Sequence, residues 1–414
     1  MDSENTGRTV KKPTANKTTA KKQTIIIRWM GGVDRPFLYL LLVLLAFGTV
    51  MVFTSSYAYA QTRYGDSYFF SKSQIVFIAI GLVVMMFVIK FGKRELVMKL
   101  TPIVYFAVLL LNAAVLVFGF IGLGAKRWIV IAGVNFQPSE LLKIMTVVYC
   151  ARWASLKQDK MRTFRYGFLP FALMMAVSVG ILILQNHLSA AIITFTLIFC
   201  MMILGGTNGK LLIVLSTLGG AAVTYVVTHI QKIIDLLSKS ENIGHAAKRL
   251  LIWQDPIKYM RDEATGWGGW QPSQSLFAIS SGGFWGVGLG QSMQKHGYLP
   301  EPQNDYIFAI LCEELGFVGA FAAIALFAAL IIRGFIIAKN CKDRFGQLIV
   351  AGLMTKLALQ VILNIAVVTN TIPSTGISLP FFSYGGTALL ISLAEMGLVL
   401  SISKYSYTER GEIE

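Results

Sequence analysis

Apolar runs of about 17–25 residues recur along almost the whole chain, and no other feature limits its fold so strongly. A bilayer core holds no water, so every backbone N–H and C=O in such a run must be satisfied within its own segment, which makes each run a helix. The short alternating pattern of a β-barrel strand is absent. Composition agrees: of 414 residues, 55% are hydrophobic and 14% charged, with a mean hydropathy of +0.63, whereas soluble domains are nearer half apolar and a quarter charged. The expected fold is all-α: a polytopic membrane protein with about ten transmembrane helices and one long extracellular loop.

The ten runs cover roughly 36–55, 74–90, 100–120, 139–154, 167–184, 188–205, 211–229, 305–332, 347–369 and 384–402. An even number puts both termini on one side. If that side is cytoplasmic, the inner segments hold more than twice the Lys and Arg of the outer ones, and most of the outer basic residues fall in one loop. The positive-inside rule then sets both termini in the cytoplasm. The net charge of +16 reads as a topology signal and as attraction to anionic headgroups, not as a nucleic-acid surface. Residues 1–30 are rich in Lys and Thr and are expected to form a disordered basic tail, not a cleaved signal peptide. Residues 31–404 form the membrane domain, 405–414 a short cytoplasmic tail, and 230–304 the large outer loop. Within that loop, "HIQKIIDLLSKS" and "HAAKRLLIW" have helical apolar spacing with basic opposite faces, which suits the outer interface. Of the four cysteines, three sit in or beside apolar spans and none has an extracellular partner, which predicts no disulfide, and the four histidines have no metal-ligand spacing.

Charged residues inside such runs are the candidates for chemistry. In "KHGYLPEPQNDYIFAILCEELG", Asp305 opens the eighth run, where it either caps the helix or acts as a carboxylate at the mouth of a cavity. Glu313 and Glu314 lie about 12–14 Å deeper, either as functional acids or as hydrogen-bonded struts. In "GAKRWIVIAGVNFQPSELLK", Pro138 and Ser139 start a helix, Glu140 and Lys143 share one face, and Lys126 and Arg127 precede them. A helix N-terminus beside cations suits a phosphate, and an interfacial loop that snorkels its bases is the plainer alternative. "TNTIPSTGISLPFFSYGG" suits a re-entrant segment lining a cavity, or an ordinary hairpin between helices. Lys356 and Glu395 fall at matching depth in the ninth and tenth runs, and the cost of an unpaired charge there predicts that they pair.

Together, "KRWI", "FQPSELLKI", "QSLFAISSGGFWGVGLGQSMQK", "YLPEPQNDYIFAILCEELG", "NIAVVTNTIPSTGISLPFFSYGG" and "SKYS" resemble the SEDS family of cell-wall proteins, whose branches are FtsW, RodA and SpoVE. "GLGQSMQK" followed by "YLPEP" is more similar to the FtsW/SpoVE branch than to RodA. The resemblance implies a peptidoglycan glycosyltransferase of the bacterial cytoplasmic membrane that polymerises lipid II at the outer surface, with polyprenyl pyrophosphate as the leaving group. It implies a class B penicillin-binding protein, a transpeptidase, and other divisome membrane proteins as partners. The family's essential acid maps onto Asp305, here the expected general base. Arg127, Lys143 and Lys295 are the expected contacts for pyrophosphate, with Lys126 a weaker one and Glu140 orienting Lys143. Gln274, Ser275 and Ser383 are further substrate-binding candidates. A Mg²⁺ or Mn²⁺ ion bridging phosphates is compatible, although no dedicated ligand set is visible. The family's usual Pro-Asp-Leu-Gly-Thr is replaced here by "NHLSA", which puts His187 where an acid is expected, and Lys356 and Glu395 also stand where the family leads one to expect apolar or small residues. A lipid II transporter and a non-catalytic scaffold for the transpeptidase are the alternative functions.

Overall fold

The computed structural model describes residues 32–122, 125–131, 134–230, 232, 244–262 and 268–408. The basic segment expected over 1–30 and most of "HIQKIIDLLSKS" lie outside these residues. The described chain forms α1 (Arg35–Tyr64), α2 (Phe69–Phe91), α3 (Arg94–Phe118), β1 (Phe120–Gly122), β2 (Ala125–Ile131), β3 (Val134–Phe136), α4 (Pro138–Leu156), α5 (Leu169–Leu184), α6 (Leu188–Gly205), α7 (Gly209–Thr228), α8 (Gly244–Gln254), α9 (Trp270–Gly282), α10 (Ile307–Asn340), α11 (Arg344–Val368) and α12 (Gly386–Thr408). Helix α12 runs four residues into the expected C-terminal tail.

Among the described residues, eight helical segments are long and apolar enough to cross a membrane. Helices α4 and α7 coincide with the other two expected spans. Helix α4 carries Glu140, Lys143 and Arg152 within its 19 residues, and α7 is a 20-residue helix with the apolar sequence "LLIVLSTLGGAAVTYVV". The protein is a multi-pass membrane protein. Many of its apolar side chains face outward, as at Leu110, Val117 and Leu184, which are 72%, 70% and 70% exposed. Such a surface is stable only against lipid.

Local chemistry sets the helix ends. Asp34 caps α1, its Oδ1 accepting from the Phe37 N–H at 3.0 Å, and Arg333 of α10 closes on the same carboxylate at 2.7 Å. This bond ties the start of α1 to the far end of α10. Helix α10 bends at Gly316, whose φ of 64° lies in the left-handed region. The bend frees backbone groups, and the segment after α9 satisfies them. Val287 and Gly288 N–H groups donate to the Glu313 and Glu314 carbonyls at 3.0 Å each, and Phe317 N–H donates to the Gly283 carbonyl at 3.0 Å. A Cβ on Gly316 would lie 2.3 Å from the Gly286 nitrogen. The glycine-rich "SGGFWGVG" is therefore the strand-like partner of a broken helix, which is tolerated at membrane depth because protein covers it.

Strands β1, β2 and β3 form an antiparallel meander. This small sheet was not anticipated in an otherwise helical chain. The β-branched and aromatic residues of "RWIVI" and "VNF" favour it. It delivers the chain to Pro138 at the start of α4, and the Thr387 hydroxyl of α12 donates to the Asn135 carbonyl at 3.0 Å. The stretch from Thr369 to Gly385 has no helix and no strand, yet Ile377, Leu379, Phe381 and Phe382 are all buried. This matches the re-entrant reading and excludes an ordinary exposed hairpin.

Candidate active site

Asp305 stands two residues ahead of α10. The cap position belongs to Tyr306, and no side chain caps the helix there. The Asp305 carboxylate is half-buried and has no hydrogen-bond or ion-pair partner among the described residues. The backbone around it is held firmly. The Asn364 amide of α11 donates to the Asp305 carbonyl at 2.8 Å and to the Ile377 carbonyl at 2.6 Å. The Tyr384 N–H donates to the Gln303 carbonyl at 2.8 Å. Gly376, at φ 71°, passes so close that a Cβ there would sit 3.2 Å from Asp305 Oδ2. A fixed backbone with an unspent carboxylate is the arrangement of a reactive group, since capping would have consumed it.

Burial first, and then the Glu301 carboxylate, push Asp305 up to about 6, against the pull of Arg127. Arg127, on β2, donates from Nη2 to the Asn186 carbonyl at 2.8 Å. Its pKa is lowered by burial and by the neighbouring Arg249, and raised by Asp305, but an arginine stays charged through such shifts. Arg249, on α8, was not singled out in the sequence. Its helix is moored by reciprocal bonds: Trp253 Nε1 donates to the Asn370 carbonyl at 3.0 Å, and the Asn370 amide donates to the Trp253 carbonyl at 3.1 Å. The Tyr306 phenol is raised by burial and by Asp305, with Arg249 opposing. One acid, two arginines and a tyrosine thus share one electrostatic neighbourhood.

A line of charge continues from there into the bundle. His187 caps α6 and lies 3.4 Å from the Gln137 amide nitrogen. Burial, then Arg127 and Lys143, push its imidazole down to about 3, with Glu140 opposing, so it is neutral at neutral pH. Glu140 and Lys143 pair at 2.7 Å as their spacing predicts, and Glu140 feels the field of Lys356. Lys356 and Glu395 pair at 2.5 Å with both side chains 2% exposed, as their matched depth predicts. Glu140 and Lys143, expected as an orienting acid and a pyrophosphate contact, are thus buried and paired with each other, and both act on His187.

The structure places four of the expected substrate-binding residues in the protein interior with protein neighbours. Lys295 is completely buried, paired with Glu314 at 2.6 Å, and its ammonium lies 4.7 Å from the centre of the Tyr57 ring, so its charge is already used within the protein. The Ser275 hydroxyl is buried and donates to the Val368 carbonyl at 2.7 Å. Gln274 is 3% exposed beside it on α9. The Ser383 hydroxyl accepts from the Leu379 N–H at 2.7 Å and closes a turn in the buried segment. Glu313 and Glu314 prove to be struts: the Glu313 carboxylate accepts from the Ser292 hydroxyl and from the Met293 N–H at 2.9 Å. The side chain of Lys126 lies outside the described residues. Among the described residues, no three His, Cys, Asp or Glu side chains gather as metal ligands.

The sequence profile of the family described as "Cell cycle protein", covering FtsW, RodA and SpoVE, matches residues 35–408. The chain belongs to this family. Stage V sporulation protein E of Bacillus subtilis (strain 168) is 35% identical over 88% of this chain and 95% of its own length. The probable peptidoglycan glycosyltransferase FtsW of the same organism is 34% identical over 92% of this chain and 93% of its own. Among solved structures, a chain from work on the structural coordination of polymerization and crosslinking by a peptidoglycan synthase complex superposes with a TM-score of 0.73. It is 27% identical and covers 91% of this chain and 98% of that one.

Proposed function

We propose that this protein is a peptidoglycan glycosyltransferase that polymerises lipid II into glycan strands at the outer face of the cytoplasmic membrane during cell division, with Asp305 as general base. The observation that carries this reading is the unspent, half-buried carboxylate at the head of α10, in the field of Arg127, which in turn feels Arg249. The name carried by the FtsW relative supports the activity. The bias of basic residues supports cytoplasmic termini, which puts the Asp305 end outside.

An acceptor sugar hydroxyl attacks C1 of the donor sugar. The new C–O bond forms as the bond from C1 to the pyrophosphate oxygen breaks, and the hydroxyl proton passes to Asp305. A base with a pKa near 6 is largely ionised at neutral pH, yet basic enough to share the proton in the transition state. The leaving pyrophosphate gains negative charge, which Arg127 and Arg249 stabilise. Direct displacement inverts the anomeric centre. The polyprenyl tail remains in lipid while the head reaches the polar site at the end of the bundle. A Mg²⁺ or Mn²⁺ ion carried by the substrate phosphates would be held on the protein side by the exposed Glu301 and would offset charge on the leaving group.

Class B penicillin-binding protein is the partner we assign, since crosslinking is transpeptidase chemistry and the similar solved chain comes from a complex that couples polymerization to crosslinking. Other divisome membrane proteins would complete the assembly. The test supplies lipid II to the purified protein, with and without that transpeptidase, and resolves the products by length. Glycan strands are expected. Lipid II crossing vesicles without polymer would favour a transporter, and neither polymer nor transport in a complex that still binds the transpeptidase would favour a scaffold.

A further inference from the structure

At the end of the bundle opposite Asp305, the connection from α4 to α5 meets the start of α7. The Thr207 hydroxyl donates to the Gly167 carbonyl at 3.0 Å and locks the two together. Arg344, at the start of α11, donates to the Leu204 carbonyl at 2.7 Å, which fixes this junction at that end. Between the two segments lies a slot of about 330 Å³ that includes Arg162, Thr163, Phe164, Lys210, Leu211 and Val214 in its lining.

The charges around this slot are unequally used. Lys157, Lys160 and Arg165 gather on the Tyr166 ring, at 5.9, 5.5 and 5.9 Å from its centre. Arg162 and Lys210 line the slot from opposite walls, and neither side chain has a hydrogen-bond or ion-pair partner among the described residues. Lys210 also sits in the first turn of α7, capped by Asn208, whose side chain accepts from the Lys210 N–H at 3.1 Å. The positive end of that helix dipole adds to the two cations. The rest of the lining is apolar: Phe164 is 60% and Val214 52% exposed, and the same helix continues with Leu218 at 63%. A cationic mouth leading onto a lipid-facing apolar track matches an amphiphile with an anionic head.

We propose that this slot binds an anionic phospholipid of the leaflet at that end, the cytoplasmic one by the distribution of basic residues, with its headgroup phosphate between Arg162 and Lys210 and one acyl chain along Phe164, Val214 and Leu218. A guanidinium and an ammonium are suited to phosphate oxygens, and basic pockets between helices on this side recognise lipid headgroups. A free phosphate would use the cations but gain nothing from the apolar wall.

The test reconstitutes the full chain in nanodiscs of phosphatidylcholine doped with phosphatidylglycerol and counts retained lipids by native mass spectrometry. Arg162→Gln with Lys210→Gln should reduce phosphatidylglycerol retention by about tenfold or more. Leu211→Trp, which fills the slot and leaves every charge in place, should reduce it similarly. Lys157→Gln with Lys160→Gln removes the same charge outside the slot and should leave retention nearly unchanged. Equal losses in the two double variants would overturn the proposal in favour of diffuse surface attraction. Retention of phosphatidylcholine at the same level, or displacement of the lipid by millimolar inorganic phosphate, would overturn the assignment to an anionic lipid.

Discussion

Replacing Lys356 by Met is the sharpest probe of how this fold tolerates charge in its interior. The pair it breaks is 2.5 Å long, and each side chain is only 2% exposed. Removing one member of such a pair strands the other, at a cost of about 3–5 kcal/mol, whereas replacing both by apolar residues is often neutral or stabilising. Here the surroundings temper the loss. Glu395, left alone, still feels the cation of Lys143, so the lower end applies, about 3 kcal/mol or roughly two powers of ten in the folding equilibrium. At about 2 °C per kcal/mol for a large chain, the melting temperature should fall by about 6 °C. Glu395→Leu should fall by at least as much, because Lys356 then faces Lys143 with only Glu140 to offset it. The double variant Lys356→Met/Glu395→Leu should melt close to the original protein, and the charge exchange Lys356→Glu/Glu395→Lys should recover most of either single loss. Thermal unfolding of the four purified variants in one detergent measures the coupling directly. A double-variant loss equal to the sum of the single losses, or no recovery on exchange, would refute the pair as an energetic unit.

Three further outcomes follow from the same geometry. Polymerisation should need ionised Asp305, so its rate should rise about tenfold per pH unit below 6 and level off above 7; Arg127→Gln removes the cation that lowers this pKa and should move the rise to higher pH, and a profile unchanged by that substitution would count against the coupling. Gly316→Ala forces a Cβ to within 2.3 Å of the Gly286 nitrogen at a positive φ and should cost about 1–3 kcal/mol, read as a lower melting temperature. Lys295→Met should lower stability by about 3–5 kcal/mol through the stranded Glu314 while leaving the KM for lipid II of the surviving folded protein unchanged, whereas a raised KM would restore Lys295 as a pyrophosphate ligand.

The membrane architecture was legible because lipid imposes one rule on every span, and apolar run length reports it directly. The pairings Glu140–Lys143 and Lys356–Glu395 were legible for a related reason: a charge at depth needs a partner, and helix geometry leaves few. The loop chemistry was not. Lys295, Ser275 and Ser383 have the right types for substrate contact, but whether a hydroxyl or ammonium faces a cavity or a neighbouring carbonyl is decided by tertiary packing, which a one-dimensional pattern does not carry. Arg249 was missed for the opposite reason. It belongs to an ordinary amphipathic stretch, and the Trp253–Asn370 mooring holds its helix where it acts on Arg127 and Tyr306. The small sheet was hidden within a loop, although the alternation of Trp128, Val130 and their neighbours held a signal for it.

The most direct measurement is the rate of glycan-strand formation from saturating lipid II by Asp305→Asn, assembled with its transpeptidase and shown by thermal unfolding to be as stable as the unsubstituted protein. Asparagine keeps the shape and removes the basic oxygen. Loss of a general base predicts a fall of about 10²–10⁴-fold with assembly intact. Strands formed at the unsubstituted rate would contradict the role assigned to this carboxylate.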